Sequence, residues 1–188
     1  MSATSAPFGM RPSFHPSGLD RAVVLADGIT SGYASNILKG QPVALNTSGV
    51  IIIATAGSAY QGAFAGVEFT DTTGRRRVSN YWPASTTGTS ITAYYYSDPN
   101  IVYDIQADGS LAQTSIGDQA NFTNIAAGST TTGLSACTIS TSLAGTSAVG
   151  DMRIIGLYNA VDNAWGDAYT VVQVQVSRSQ YVATINAI

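Results

Sequence analysis

At 188 residues the chain is long enough for one sizeable domain, which at this length buries roughly 70% of the surface that the unfolded form exposes. Only 10% of its residues are charged while 45% are hydrophobic, which excludes a strongly charged disordered chain. Lys and Arg number 8 against 11 Asp and Glu, a net charge of -3, so the positive field that gathers proteins onto nucleic acid or anionic lipid is missing.

A single cysteine, Cys137, excludes an internal disulfide or a thiolate metal cage and fits assembly in a reducing cytoplasm. Met1 to Phe14 holds no basic segment followed by an apolar run, and no stretch approaches the roughly 20 apolar residues of a membrane span, so neither secretion nor insertion is expected. The chain has one Glu (Glu68) and one Lys (Lys39), residues that normally fill exposed helix faces. Abundant Ser and Thr, 10 Tyr, 19 Gly and short apolar runs between turn residues favour strands instead.

In chain order, residues 1–18 hold three of the six prolines (Pro7, Pro12, Pro16) and read as an extended arm, because proline fixes φ and removes ladder donors. Strands are predicted over 22–26, 41–45 and 50–54, with Asn46-Thr47-Ser48-Gly49 as the connection of a hairpin. A long strand over 61–70 turns at Asp71-Thr72-Thr73-Gly74 into a returning strand over 75–82. Strands over 91–96 and 101–106 are expected to form a further hairpin around Ser97-Asp98-Pro99-Asn100. Asp118 is placed as the cap of a short helix through Ile125. Residues 128–149 read as loop, strand (137–143), loop, followed by strands over 153–158 and 169–176. In the last, Val172, Val174 and Val176 share one face and Gln173 and Gln175 the other. The predicted fold is all-β: a single β-barrel or β-sandwich domain over 19–188 preceded by the arm.

Catalytic chemistry finds little to build on. His15 is the one histidine, and an arm is a poor place to hold a general base. Cys137 has no basic neighbour in sequence to lower its pKa and reads as a small buried filler. Zinc would have to rely mostly on carboxylates, and Asp98, Asn100, Asp104 and Asp108 lack the order of a calcium loop and read as turn residues. Glu68 and Asp71 would enter a paired-carboxylate hydrolase only with a further Asp across the sheet. No phosphate loop, nucleophile elbow or dinucleotide fingerprint is present, so no enzyme, cofactor or metal is expected.

Contact chemistry is better represented. Arg75, Arg76 and Arg77 start a strand, and alternation sends Arg75 and Arg77 to one face and Arg76 to the other. They either dock on carboxylates of a partner, or solubilise the hairpin tip and pair with Asp71 or another local aspartate. Tyr81, Trp82, Tyr94, Tyr95 and Tyr96 form a candidate aromatic contact surface.

Three segments, Ala6-Pro7-Phe8-Gly9-Met10-Arg11-Pro12, Lys39-Gly40-Gln41-Pro42-Val43-Ala44-Leu45 and Gly62-Ala63-Phe64-Ala65-Gly66-Val67, resemble head decoration (cement) proteins of tailed bacteriophages. The similarity lies mainly within 6–83. Segments 104–117 and 162–168 also look like parts of phage virion proteins. The resemblance implies a small β-domain whose terminal arm lies on the capsid lattice, made in the host cytoplasm and carried on the virion exterior. It implies the major capsid protein and further copies of the chain, as dimer or trimer, as partners, without nucleic acid or membrane. Phe8, Met10, Arg11, Phe14 and His15 of the arm and Arg75, Arg76 and Arg77 of the hairpin are then the expected capsid contacts. Removing residues 1–18 is expected to abolish shell binding and leave the β-domain folded. The alternative is a carbohydrate-binding β-sandwich on the virion surface, stacking sugars on the five aromatic residues.

Overall fold

The computed structural model describes residues 2–18, 22–26, 28–145 and 147–182. In chain order the strands are β1 (Arg11–Phe14), β2 (Val23–Ala26), β3 (Pro42–Leu45), β4 (Ile51–Ile53), β5 (Gly62–Thr70), β6 (Arg76–Ser79), β7 (Thr89–Tyr96) and β8 (Val102–Gln106). They continue as β9 (Gln119–Thr123), β10 (Gly128–Ser129), β11 (Leu134–Ser135), β12 (Thr138–Leu143), β13 (Met152–Leu157) and β14 (Val171–Val176). One 3-10 turn, Gln113–Ser115, is the nearest approach to a helix among the described residues.

The strands form two large antiparallel sheets. One has the order β1-β8-β14-β13-β9-β12, and the other β2-β7-β5-β3-β4, with β6 pairing the far end of β5. Neither sheet closes on itself, so of the two expected architectures the sandwich stands and the barrel does not. Between the sheets lies a core of Tyr103, Ile105, Phe122, Ile139, Met152, Ile154, Val172 and Val174, met from the second sheet by Ala44 and Ala63. The buried Val172, Val174 and Val176 alternate with half-buried Gln173 and Gln175, the period-2 pattern expected of this strand.

The second sheet is apolar on both faces. Val43, Phe64, Val67, Phe69, Ala93 and Tyr95 point away from the first sheet and form a second core with Ile29, Ile37 and Trp82, which come from connecting segments. Trp82 is fully buried, edge-on to Phe69 with ring centroids 5.1 Å apart.

Two hairpins follow the sequence reading. Asn46 and Asp71 open their turns, with Gly49 and Gly74 at φ 74° and 79°, the left-handed region in which glycine carries no Cβ penalty. Two other expectations are corrected. The segment after Asp118 is not a helix but β9, because Ala120 and Phe122 enter the core at a spacing of two while Asn121 is exposed, and both edges of the strand pair, with β12 and β13. β7 and β8 do not form a hairpin. Both edges of β7 are taken by β2 and β5 and those of β8 by β1 and β14, so Ser97-Asp98-Pro99-Asn100 carries the chain from one sheet to the other. Its Asx geometry is as expected, with the Asn100 amide donating to Asp98 Oδ1 at 2.8 Å.

Candidate functional site

Residues 2–18 form a strap built into the body. Ser2 is buried, and its carbonyl accepts the Tyr169 amide at 2.7 Å. The Ala6 amide donates to Gln106 Oε1 at 2.9 Å, while Gln106 Nε2 donates to the Thr4 carbonyl at 3.1 Å. β8 is therefore buried along its whole length, Tyr103 and Ile105 facing the core and Asp104 and Gln106 on its other face. Met10 is fully buried in the inter-sheet core, and Arg11–Phe14 then pairs with β8 as an edge strand.

The strap is threaded through a tight crossing. Gly9 (φ 72°) and Gly40 (φ 80°) adopt left-handed backbone, and the Met10 amide donates to the Gly40 carbonyl at 2.8 Å. A Cβ on Gly9 would lie 2.6 Å from the Gly40 carbonyl oxygen, whereas one on Gly49, also at positive φ, would meet nothing. Gly9→Ala is expected to cost about 3 kcal/mol through strain plus overpacking, and Gly49→Ala about 1 kcal/mol through strain alone. Urea unfolding of the two variants side by side checks this; equal losses would mean that the crossing is not tight.

Beside the crossing is a groove of about 330 Å³ lined by Phe8, Met10, Arg11, Pro12, Lys39, Gly40, Phe64, Tyr96 and Leu134. Lys39 is fixed at it by its backbone, its amide donating to the Gly133 carbonyl at 2.9 Å and its carbonyl accepting the Ser135 amide at 3.0 Å. The Gly40 amide donates to the Phe64 carbonyl at 2.8 Å, locking this turn to β5. The Arg11 guanidinium lies 4.7 Å from the centre of the Phe8 ring and 5.2 Å from that of Tyr158, and donates to Asp104 Oδ2 at 3.1 Å. The three segments that carry the phage resemblance, separated by tens of residues, thus meet at one groove.

The arginine hairpin is elsewhere, at the opposite end of β5; at about 3.3 Å per residue, Asp71 is about 20 Å along the strand from Phe64. Two of its three arginines pair locally. Arg77 Nε donates to Asp71 Oδ2 at 2.7 Å, and Arg76 lies 3.0 Å from Glu68 Oε1 and donates to the Ser90 carbonyl. Hydrogen bonds from the Thr73 hydroxyl and then Arg77 hold the Asp71 carboxyl well below the usual carboxylate range. Tyr94, donating to Glu68 at 2.8 Å, and then Arg76 lower Glu68 in the same way. Arg75 has no side-chain partner among the described residues. Beside these arginines Val78 is 79% exposed, which leaves the hairpin an apolar as well as a basic surface.

The other residues singled out in the sequence separate by burial. Phe14 is exposed on the β1 edge, and His15 Nε2 lies 3.0 Å from Asp98 Oδ2. The Ser17 amide donates to His15 Nδ1, so Nε2 carries the proton and donates to Asp98. Trp82 and Tyr95 are buried in the second core and belong to no contact surface, because alternation along β7 turns Tyr95 inward with Ile91 and Ala93. Tyr81, Tyr94 and Tyr96 are half-buried, and of the five aromatics only Tyr96 lines the groove. Met10, named as a contact, is a core residue. Cys137 is fully buried, and desolvation pushes its thiol far above the ordinary range. Among the described residues no three metal-ligating side chains cluster.

Sequence reasoning missed Lys39, Phe64, Leu134 and Tyr158 as neighbours of the arm. Lys39 had a signal, as the one lysine of the chain; the other three are ordinary strand or loop residues until the chain is folded. Comparison of the chain with protein-family models, curated proteins and solved structures gives no match.

Proposed function

We propose that this chain is a structural virion protein, a cement or decoration protein that binds the outer surface of a tailed-phage capsid and stabilises the expanded shell. The observation that carries the reading is the convergence of segments 6–12, 39–45 and 62–67, the basis of the resemblance, on the groove beside the strap. A cement protein needs contact area rather than a catalytic group, and a chain with few charges limits the desolvation cost of burying that area. A clamp that binds only the expanded lattice shifts assembly toward it by its differential affinity for that state. In this reading the partners are the major capsid protein and further copies of the chain.

The test is co-sedimentation of the purified chain with expanded and unexpanded empty phage heads stripped of their own decoration, followed by thermal disruption of the complexes. Saturable binding to expanded heads with a raised disruption temperature is expected; no binding to either form overturns the proposal.

A further inference from the structure

The groove has a specific chemistry. Its lining is mostly apolar, two of the lining side chains are cationic (Arg11 and Lys39), and none is acidic. Arg11 is already engaged by Asp104, whereas the Lys39 ammonium has no carboxylate partner among the described residues. A carboxylate arriving here therefore meets an unneutralised charge beside an apolar wall, and because that charge is exposed the attraction weakens with salt.

The same place offers backbone. β1 pairs with β8 on one side, and on its other side the contact with Gly40 ends at Met10, leaving Arg11–Phe14 as an open edge of the first sheet among the described residues. An open edge accepts an extended chain through main-chain hydrogen bonds, with alternate side chains entering an adjacent pocket. Pro12 removes one donor, and Arg11 places a charge on the strand, features that discourage indiscriminate edge pairing. A volume of about 330 Å³ lies at the low end of ligand sites and suits the side chains of a short peptide stretch.

We infer that the groove and the β1 edge together bind an extended peptide segment that carries carboxylates among apolar side chains, with Lys39 as the charge that selects it. This rests on the function proposed above and names the chemistry of the capsid-protein segment that enters the groove.

The probe is a fluorescein-labelled octapeptide alternating aspartate with leucine, compared by anisotropy with its asparagine counterpart. The full chain is expected to bind the acidic peptide saturably, with affinity falling as salt rises. Binding should weaken at least tenfold for the asparagine peptide and for Lys39→Glu, a change at an exposed side chain; Lys39→Gln should fall between. No binding by the folded chain, or equal binding of both peptides, or indifference to Lys39→Glu, overturns the inference. If Lys39→Glu does not melt like the parent chain, Leu134→Glu, on the exposed wall of the groove, is read in its place by the same criteria. The variant also enters the shell assay. Shell binding unchanged by Lys39→Glu overturns this inference and keeps the cement reading, whereas acidic-peptide binding without shell binding keeps this inference and overturns the cement reading.

Discussion

A chain lacking residues 2–14 is expected not to fold, rather than to fold and lose a contact. The truncation empties the site of Met10, a fully buried member of the inter-sheet core whose loss as a side chain alone costs about 2–5 kcal/mol. It also strips the covering from β8. Asp104, almost fully buried, loses Arg11, and Gln106 loses both its bonds to the strap, each deficit costing about 1–3 kcal/mol. Together these losses are as large as the stability of a typical domain, about 5–15 kcal/mol. Circular dichroism and size exclusion of the truncated chain check this; a monomer that melts cooperatively near the parent temperature would show that the strap is an appendage. The outcome bears on function, since loss of shell binding on deletion of 1–18 would then report unfolding. Lys39→Glu and other groove variants are the informative ones.

Asp151→Ala is expected to cost about 2–4 kcal/mol. The Asp151 side chain is fully enclosed, and its carboxylate accepts the Gly57 amide at 2.9 Å and the Phe122 amide at 3.0 Å, tying the segment between β4 and β5 to β9 and β13. Arg178 closes the same cluster from the segment after β14, donating to the Gly57 and Val149 carbonyls. Alanine leaves the Phe122 amide buried without a partner and opens a void. Burial raises the Asp151 carboxyl above the ordinary carboxylate range, against the lowering effect of those amides and Arg178. The folded state therefore holds this proton more tightly than the unfolded chain. The resulting stability is fully present below the unfolded carboxylate value and is lost as pH rises through the raised one. The gap between parent and Asp151→Ala should thus be wider in acid than at neutral pH. Urea titrations across that window check both the size and the slope; a gap that widens with rising pH would place the Asp151 pKa below the ordinary value instead.

Much of the strand inventory was legible because its signals are local. The Asn46 and Asp71 turns need a short polar side chain at the start and a glycine at the end, and both features sit within four residues. The Val172, Val174, Val176 alternation declares one buried face without reference to the rest of the chain. The misread elements are those in which a local signal was overridden. Asp118 followed by a mixed stretch passes for a helix start, but sheet edges on both sides of Gln119–Thr123 imposed strand geometry. The Asp98 turn has hairpin chemistry, yet the sheets had already filled every edge of the two strands that it joins.

By itself the sequence determined the all-β class, the main turns, and the low charge and solitary lysine that give any contact surface here its character, since composition and period-2 patterning act residue by residue. Only the tertiary structure decided that the proline-rich start is a strap over the outer face of β8. It also decided that Trp82 and Tyr95 are core, that Arg77 and Arg76 of the hairpin pair with Asp71 and Glu68, and that Lys39 stands beside Phe8, Phe64 and Leu134. Each of these depends on contacts between residues far apart in the chain. No local pattern encodes which face of a strand a distant segment will cover, or which charge it will leave without a partner.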